Sequence, residues 1–198
     1  MVARARSAAS LDAIPLPAKP VLRPLLLASV LGLLACSGTA TPLCIGSAGP
    51  WTESFGMMNK RGIDLAIDEI NAKGGIRGRP VRLVERDDQG DGSKATRIAS
   101  EFVANRSILG VVGHVTSGAM MAAAQVYDQG LPAVATTAST PDLSGISEWT
   151  FRVISSDSAN GLTMARFAQA RGLRRAAILF ENNSYGRGLA ESFRRGFT

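Results

Sequence analysis

The sequence predicts an α/β fold in which a doubly wound parallel sheet carries helices on both faces. Apolar runs of strand length alternate with amphipathic helical segments, and the connections between them are short. Of the 198 residues, 45% are hydrophobic and 19% are charged, a composition that supports a packed core. Elements in this alternation form right-handed crossovers, which place parallel strands side by side.

The elements follow in the order β-α-β-α-β-α-β. Strands are predicted at four short apolar runs, residues 43–48, 81–85, 108–112 and 133–136. Two helices are predicted from apolar residues at helical spacing, namely Ile63, Ala66, Ile67 and Ile70, and then Ala95, Ile98, Ala99 and Phe102. A third helix is predicted to run from Ser117, its N-cap, to Gly130. We assign residues 43–152 to a first lobe, which lacks the segments that would return to it later.

A second α/β unit is predicted near the end of the chain. Residues 150–154 are predicted to cross between the units, 158–171 to form a helix and 176–180 to form a strand. Tyr185 opens a further helix. We therefore expect residues 153–198 to be the truncated start of a second, similar lobe, whose strand would have an unpaired apolar edge.

The first 36 residues are typical of an export signal. Residues 25–35 are apolar, follow Arg23, and are too few to cross a bilayer as a helix. Residues 33–36 read Leu-Leu-Ala-Cys and resemble the lipobox of bacterial lipoproteins, in which the thiol of Cys36 is diacylated and cleavage makes Cys36 the first residue. The alternative is an ordinary secretory signal in which Cys36 carries no lipid. Polar residues 37–42 are predicted to be a linker.

Charge and cysteine content exclude several classes of function. The formal net charge is +6, half of it before Cys36, and the basic residues neither cluster nor alternate with aromatics, so we expect no nucleic-acid partner. Cys36 and Cys44 are the only cysteines, and His114 is the only histidine. These three residues cannot supply a metal-ligand set. We therefore expect no metal and no cofactor, and Cys44 is predicted to be a buried thiol.

Catalytic motifs are lacking in the sequence. It contains no G-x-S-x-G, no P-loop, and no G-x-G-x-x-G between the first strand and the first helix. His114 follows a buried strand without a nucleophile motif nearby, so we expect a structural role. Asp87 and Asp88 stand at a strand end, where carboxylates commonly accept hydrogen bonds from loop amides. The sequence therefore favours a binding protein over an enzyme.

A series of short motifs carries a family resemblance. In chain order these are residues 46–50, 62–71, 74–79, 87–88, 113–114, 116–118, 141–143, 151–152 and 185–188. In this order and spacing, they make the chain resemble the leucine/isoleucine/valine-binding protein family of periplasmic solute-binding proteins, from Ile45 to the C-terminus. The resemblance implies the type I periplasmic-binding-protein fold, two lobes that close on a small-molecule ligand, and permease and ATPase subunits of an ABC transporter as partners.

Candidate ligand residues follow the strand ends, where open α/β sheets bind ligands. Ser117 would follow the third strand at a helix start, where its hydroxyl and the free amides can receive a carboxylate; the alternative is an N-cap alone. Thr116 is a neighbouring candidate. By resemblance, Thr137 and Ser139 fall where the family holds the ligand's amino and carboxylate groups; a plain polar loop is the alternative.

Three aromatic residues are candidates to cover an apolar part of the ligand. Trp51 and Phe55 lie in the loop after the first strand. The resemblance places Phe55 near an aromatic wall of the family, although a packing role is equally consistent, and it places Tyr185 where relatives close an aromatic over the ligand. Asp157, near the lobe crossing, is a weaker candidate.

The resulting expectation is a lipid-anchored, extracytoplasmic solute-binding protein, periplasmic or on the cell surface. Its ligand would be an amino acid, such as a branched-chain amino acid, or a related amide or carboxylate. Some relatives have a disulfide near the pocket, and the corresponding positions here are Gly90 and Thr116, so that bridge is absent. Three alternatives stay open: a ligand-sensing receptor domain, a truncated product without function, and, least favoured, a nucleotide-dependent enzyme.

Overall fold

The computed structural model describes residues 40–198. The predicted signal segment 1–36 with Cys36, and residues 37–39 of the predicted linker, lie outside the described residues. The elements are β1 (Leu43–Gly49), α1 (Ser54–Ala72), β2 (Val81–Asp87), α2 (Gly92–Ala104), β3 (Ile108–Val112), α3 (Ser117–Tyr127), β4 (Ala133–Ala135), β5 (Thr150–Arg152), α4 (Asp157–Ala170) and α5 (Ser184–Phe197), with a 3₁₀ turn at Pro141–Leu143.

The five strands form one parallel sheet in the order β2-β1-β3-β4-β5. The chain moves from β1 outward to β2, and then crosses to the other side of β1 to form β3. This reversal puts α1 on one face and α2 and α3 on the other, so the predicted doubly wound fold with helices on both faces is confirmed. It also opens a crevice at the carboxyl ends of β1 and β3, where such sheets bind ligands.

The core lies between the sheet and the helices α2 and α3. Cys44 and Ala48 of β1 pack there with Phe102 of α2 and Met120 of α3, and all four are buried. Burial of a side chain the size of Phe102 or Met120 stabilises a fold by about 1.5–3 kcal/mol. Cys44 is a buried free thiol, as predicted.

Small residues let α2 and α3 approach each other closely. Ala95, Ala99 and Ala123 have no exposed surface. A Cβ added to Gly92 of α2 would lie 3.3 Å from the Cβ of Ala122 in α3. The distance between the two helices is therefore set by methyl groups and a glycine, which have no rotamers to adjust.

The apolar stripe of α1 lies over the opposite face of the sheet. Ile63, Ile67 and Ile70, predicted from their spacing, line an open apolar groove together with Ile45 and Val112 of the sheet. Within residues 40–198, no helix has the length and the apolar character needed to span a membrane.

Two segments near the end of the chain differ from the prediction. Residues 150–154 were expected only to cross between units, but Thr150–Arg152 forms β5 and pairs in parallel with β4. Residues 176–180 were expected to form a strand, yet they carry no strand, and Leu179 is fully exposed. A strand needs a partner for its backbone hydrogen bonds, and no described segment pairs with 176–180. The predicted helices there are present as α4 and α5. The lobe boundary stays a prediction.

Candidate functional site

A cleft of about 320 Å³ lies at the carboxyl edge of the sheet. This volume is within the range of small-molecule sites. Residues that follow four consecutive strands form one wall, and residues beside the start of α5 form the other. The first wall comprises Phe55, Gly90, residues 115–118 and Thr137, and the second comprises Glu181, Asn183 and Tyr185.

The start of α3 forms the centre of the first wall. Thr116, and not Ser117 as predicted, is the N-cap: its Oγ1 accepts a hydrogen bond from the Ala119 amide at 3.3 Å. Ser117 is the first helical residue, and its buried Oγ accepts from the Thr140 amide at 3.3 Å. The first turn of a helix has amides without intrahelical acceptors and the positive end of the helix dipole. This part of the wall suits an anionic group.

Thr137 joins the loops that follow β3 and β4. Its Oγ1 donates a hydrogen bond to the carbonyl oxygen of Val115 at 2.7 Å, while the residue itself is exposed in the cleft. Since the hydroxyl proton is used in this bond, the oxygen presents only acceptor lone pairs to a ligand. Thr137 is therefore suited to accept a hydrogen bond from a ligand ammonium or hydroxyl.

Ser139 does not line the cleft. It is buried, and its Oγ donates to Oδ2 of Asp157 at 2.8 Å. Asp157 is also buried; its amide donates to the Ser139 carbonyl at 2.9 Å, and its Oδ1 accepts from Nδ2 of Asn160 at 3.1 Å. These bonds connect the loop after β4 to the start of α4. The placement of Ser139 and Asp157 gives no support to the predicted ligand contacts at either residue.

Two of the three predicted aromatic residues line the cleft. Phe55 is 54% exposed on one wall and Tyr185 is 45% exposed on the other. Trp51 lies outside the cleft, because its ring packs beside Gly49, where an added Cβ would lie 2.6 Å from it. Phe55 and Tyr185 can hold an apolar part of a ligand between them, whereas Trp51 packs against the end of β1.

The two carboxylates after β2 accept loop amides, as the sequence predicted. Oδ1 of Asp87 accepts from the amides of Trp51 at 3.2 Å and Gln89 at 2.9 Å. Oδ1 of Asp88 accepts from the amide of Gly90, a cleft residue, at 2.8 Å. These bonds fix the loop that brings Gly90 to the cleft.

His114 lies in a buried polar cluster behind the cleft. Its Nδ1 is 2.6 Å from Oδ2 of Asp88, its Nε2 is 3.0 Å from the hydroxyl of Tyr127, and all three residues have no exposed surface. A proton on Nδ1 that is donated to Asp88, with the Tyr127 hydroxyl donating to Nε2, satisfies every group. Burial, and then the charge of Asp88, raises the pKa of Tyr127 above its usual value. His114 thus connects the β2 loop to the end of α3.

Glu181 and Asn183 are cleft residues that the sequence reasoning missed. Asn183 is the N-cap of α5, since its Oδ1 accepts from the Gly186 amide at 2.8 Å. Its Nδ2 donates to Oε2 of Glu181 at 2.7 Å. Two signals were available: Asn183 directly precedes the helix predicted to open near Tyr185, and Glu181 directly follows the predicted strand 176–180, where the strand-end rule applies.

The described part of the chain matches a known protein family. Residues 44–198 match the sequence profile of a family described as periplasmic binding protein. The chain belongs to the periplasmic binding protein family. This membership implies an extracytoplasmic location.

Relatives of this periplasmic binding protein confirm the resemblance to leucine/isoleucine/valine-binding proteins. An amino acid binding protein of Pseudomonas aeruginosa is 32% identical over 177 residues, covering 86% of this chain and 46% of that protein. A Leu/Ile/Val-binding protein homolog 2 of Brucella abortus is 31% identical, with 82% and 46% covered. The solved structure of an ABC transporter substrate-binding protein from Desulfitobacterium hafniense, in complex with Leu, is 33% identical, with 79% and 47% covered and a TM-score of 0.69.

The chain spans about half the length of the relatives it matches. Those relatives are named as binding proteins and not as enzymes. The lipid anchor at Cys36 stays a prediction.

The cleft of this periplasmic binding protein has an uneven charge distribution. Of the residues that line it, Glu181 alone has a formally charged side chain. The first wall offers hydroxyls, amides and the positive end of α3, while the second offers a carboxylate, an amide and a phenol. A ligand that crosses the cleft therefore meets donors on one side and a negative charge on the other.

Proposed function

We propose that the protein is the solute-binding component of an ABC transporter that takes up an amino acid, a branched-chain amino acid or a related amide or carboxylate. The observation that carries the proposal is the cleft itself, with the first turn of α3 and Thr137 on one wall and Tyr185 on the other. The names of the relatives support amino acids as the ligand class, because two are named for amino acids and one was solved with Leu.

Binding follows from the chemistry of the two walls. A ligand carboxylate accepts hydrogen bonds from the free amides of the first turn of α3, in the field of the helix dipole. Phe55 and Tyr185 cover the apolar side chain of the ligand. A ligand that touches both walls stabilises the closed arrangement by its differential affinity for it, and the permease and ATPase act on that closed form.

The segment between β5 and α4 is the hinge in this proposal. Residues 153–156 separate the strand from the helix, and the Ser139–Asp157 hydrogen bond holds the helix start against the loop after β4. Hinges are short segments at the ends of elements, which absorb changes in φ and ψ.

The experiment that tests the function is a titration of the purified protein with the twenty amino acids, small amides and small carboxylates, followed by thermal unfolding and calorimetry. A ligand at 100 times its Kd stabilises a protein by about 2.7 kcal/mol, which is readily detected as a rise in Tm. We expect at least one amino acid to do so. Failure of every solute to stabilise protein that circular dichroism shows to be folded would refute the proposal.

A matched pair of variants places the binding in the cleft. Tyr185→Ala removes an aromatic ring from the cleft wall, whereas Phe167→Ala removes one that is exposed on α4 outside it. We expect Tyr185→Ala to weaken binding at least tenfold, which is on the order of what loss of one aromatic contact with a ligand costs. Phe167→Ala should leave the affinity within twofold of wild type.

We also propose that Cys36 anchors the protein to the membrane by its acylated thiol, which is consistent with the lipobox at residues 33–36. Mass spectrometry of the membrane fraction should find the mature chain beginning at Cys36 and carrying lipid. Cys36→Ser should lack the lipid, and a wild-type protein without lipid would refute the anchor.

A further inference from the structure

We infer that Thr140 and Gly188 set the affinity of the cleft without touching the ligand, because they form a contact through which the two walls meet. The inference rests on the proposed function and deepens it, since it assigns affinity-determining residues outside the binding surface. Thr140 lies in the loop after β4, Gly188 lies in α5, and neither residue lines the cleft.

Helix α5 touches the first wall at Gly188. A Cβ added to Gly188 would lie 2.7 Å from Cδ of Pro141 and 2.9 Å from Oγ1 of Thr140, which is closer than Cβ atoms approach non-bonded atoms in proteins. The ring of Pro141 is closed on its own backbone, so it cannot rotate out of the way. Glycine at position 188 is therefore what lets α5 approach the loop after β4.

The contact at Gly188 controls the distance between the walls. Tyr185, the aromatic residue of the second wall, precedes Gly188 by three residues in α5, so both lie on the same face of that helix. Closer to the helix start, the walls approach less tightly, because a Cβ added to Gly118 in α3 would lie 3.8 Å from Oγ of Ser184. Separation of α5 from the loop at Thr140 thus moves Tyr185 away from the first wall.

Thr140 is held firmly by its backbone, yet its hydroxyl has no partner. Its amide donates to Oγ of Ser117 at 3.3 Å, and its carbonyl oxygen accepts from Nη1 of Arg152 at 2.8 Å. The residue has no exposed surface, and its Oγ1 forms no hydrogen bond with any of residues 40–198. Burial of a hydroxyl without a partner shifts an equilibrium by about fivefold to a hundredfold against the buried state.

This penalty applies only while α5 covers Thr140. When the walls move apart, the hydroxyl gains water as a partner, so the contact favours the open arrangement of the protein without ligand. A ligand that bridges the walls must overcome this preference, and its apparent affinity falls with the fraction of protein that is closed. The glycine therefore permits closing, while the hydroxyl opposes it.

Two matched pairs of variants test the inference. Thr140→Val keeps the shape of the side chain and removes the hydroxyl; its control, Thr150→Val, removes another buried hydroxyl without a partner, at the first residue of β5 and away from the cleft. Gly188→Ala adds one methyl group at the contact; its control is Gly62→Ala in α1, where an added Cβ meets no atom within 4 Å. The probe is leucine, or the solute that stabilises wild type most in the titration above, and calorimetry measures its affinity.

We expect Thr140→Val to raise the affinity at least fivefold, because its closed arrangement no longer buries an unpaired hydroxyl. Gly188→Ala should lower the affinity at least tenfold, since the added methyl group collides with Pro141 when the walls close. Stopped-flow kinetics should show both changes mainly in the dissociation rate constant. Thr150→Val and Gly62→Ala should leave the affinity within twofold of wild type.

Thermal unfolding without ligand separates this role from a structural one. Alanine is a better helix former than glycine, so Gly188→Ala should unfold at the same temperature as wild type or higher. A marked fall in the Tm of ligand-free Gly188→Ala, or failure of that variant to fold, would make the contact a permanent part of the fold and overturn the inference. An affinity within twofold of wild type in folded Thr140→Val or Gly188→Ala would overturn it as well.

Each of these results leaves the proposed function in place, because it concerns the size of the affinity and not the existence of binding. If folded wild type binds neither leucine nor any other solute of the titration, the proposed function fails and takes this inference with it. The two kinds of failure are therefore distinguishable.

Discussion

The substitution Tyr127→Phe tests the buried cluster behind the cleft. It removes one hydroxyl and keeps the ring, so the packing of α3 on the sheet is preserved. The hydroxyl is 3.0 Å from Nε2 of His114, and neither residue has exposed surface. Loss of the hydroxyl leaves Nε2 buried without a partner, which costs about 1–3 kcal/mol of unfolding free energy at neutral pH.

The same variant has a characteristic pH dependence. The pKa of Tyr127 is raised in the folded protein, first by burial and then by the charge of Asp88. The folded state therefore holds the phenol proton more tightly than the unfolded state, whose phenol titrates near pH 10. This contribution to stability is complete below about pH 10 and is lost above it, by about 1.4 kcal/mol per pH unit. Phenylalanine has no proton to lose, so Tyr127→Phe lacks this slope.

Urea unfolding between pH 7 and pH 11 measures the difference. Wild type should lose its advantage over Tyr127→Phe as the pH rises above 10. The hydrogen bonds of Lys60 to Asp64 and Glu85 raise its pKa, but Lys60 is present in both proteins, so its contribution cancels. Tyr185→Phe, at an exposed tyrosine, is the control and should follow wild type. Parallel pH profiles for wild type and Tyr127→Phe would refute the reasoning.

Two further substitutions separate structural roles from ligand contacts. Thr116→Ala removes the N-cap acceptor of Ala119 and should lower the unfolding free energy by about 1 kcal/mol. Thr163→Ala, at an exposed position of α4, should change it by less than about 0.5 kcal/mol in urea titrations. Ser139→Ala deprives buried Asp157 of a donor and should cost about 1–3 kcal/mol with ligand affinity within threefold. A large loss of affinity at unchanged stability would instead make Ser139 a ligand contact.

The first part of the fold could be predicted because its strands are local apolar runs. Residues 108–112 form a strand with the predicted bounds, and the other three strands differ by one or two residues. Strand β5 was missed because it has only three residues, Thr150, Phe151 and Arg152, and only one of them is apolar. In the structure Phe151 is exposed. Residues 176–180 have the apolar pattern but no strand, because pairing depends on a neighbouring segment and not on the run itself.

The site could be predicted only where backbone position determines it. The strand-end rule selected the segments that contain Phe55, Thr116, Ser117 and Thr137, and all four residues line the cleft. Within those segments, the family resemblance singled out Phe55 and Thr137. It could not separate Thr137 from Ser139, because in an irregular loop the direction of a side chain depends on tertiary hydrogen bonds. The contact of His114 with Tyr127 likewise arises when α3 folds back along the sheet, which no local pattern specifies.

The alanines between α2 and α3 have a consequence for how the cleft tolerates change. Helix α3 carries Thr116 and its neighbours at one end, and it rests on α2 where Gly92 and Thr96 approach Ala122, beside the fully buried Ala99 and Ala123. An extra methylene in this layer cannot be absorbed by a rotamer, so it would push the whole helix outward. The width of the binding cleft is thus encoded partly in residues that never meet the ligand, and a change of specificity can originate on the far side of the helix from the solute.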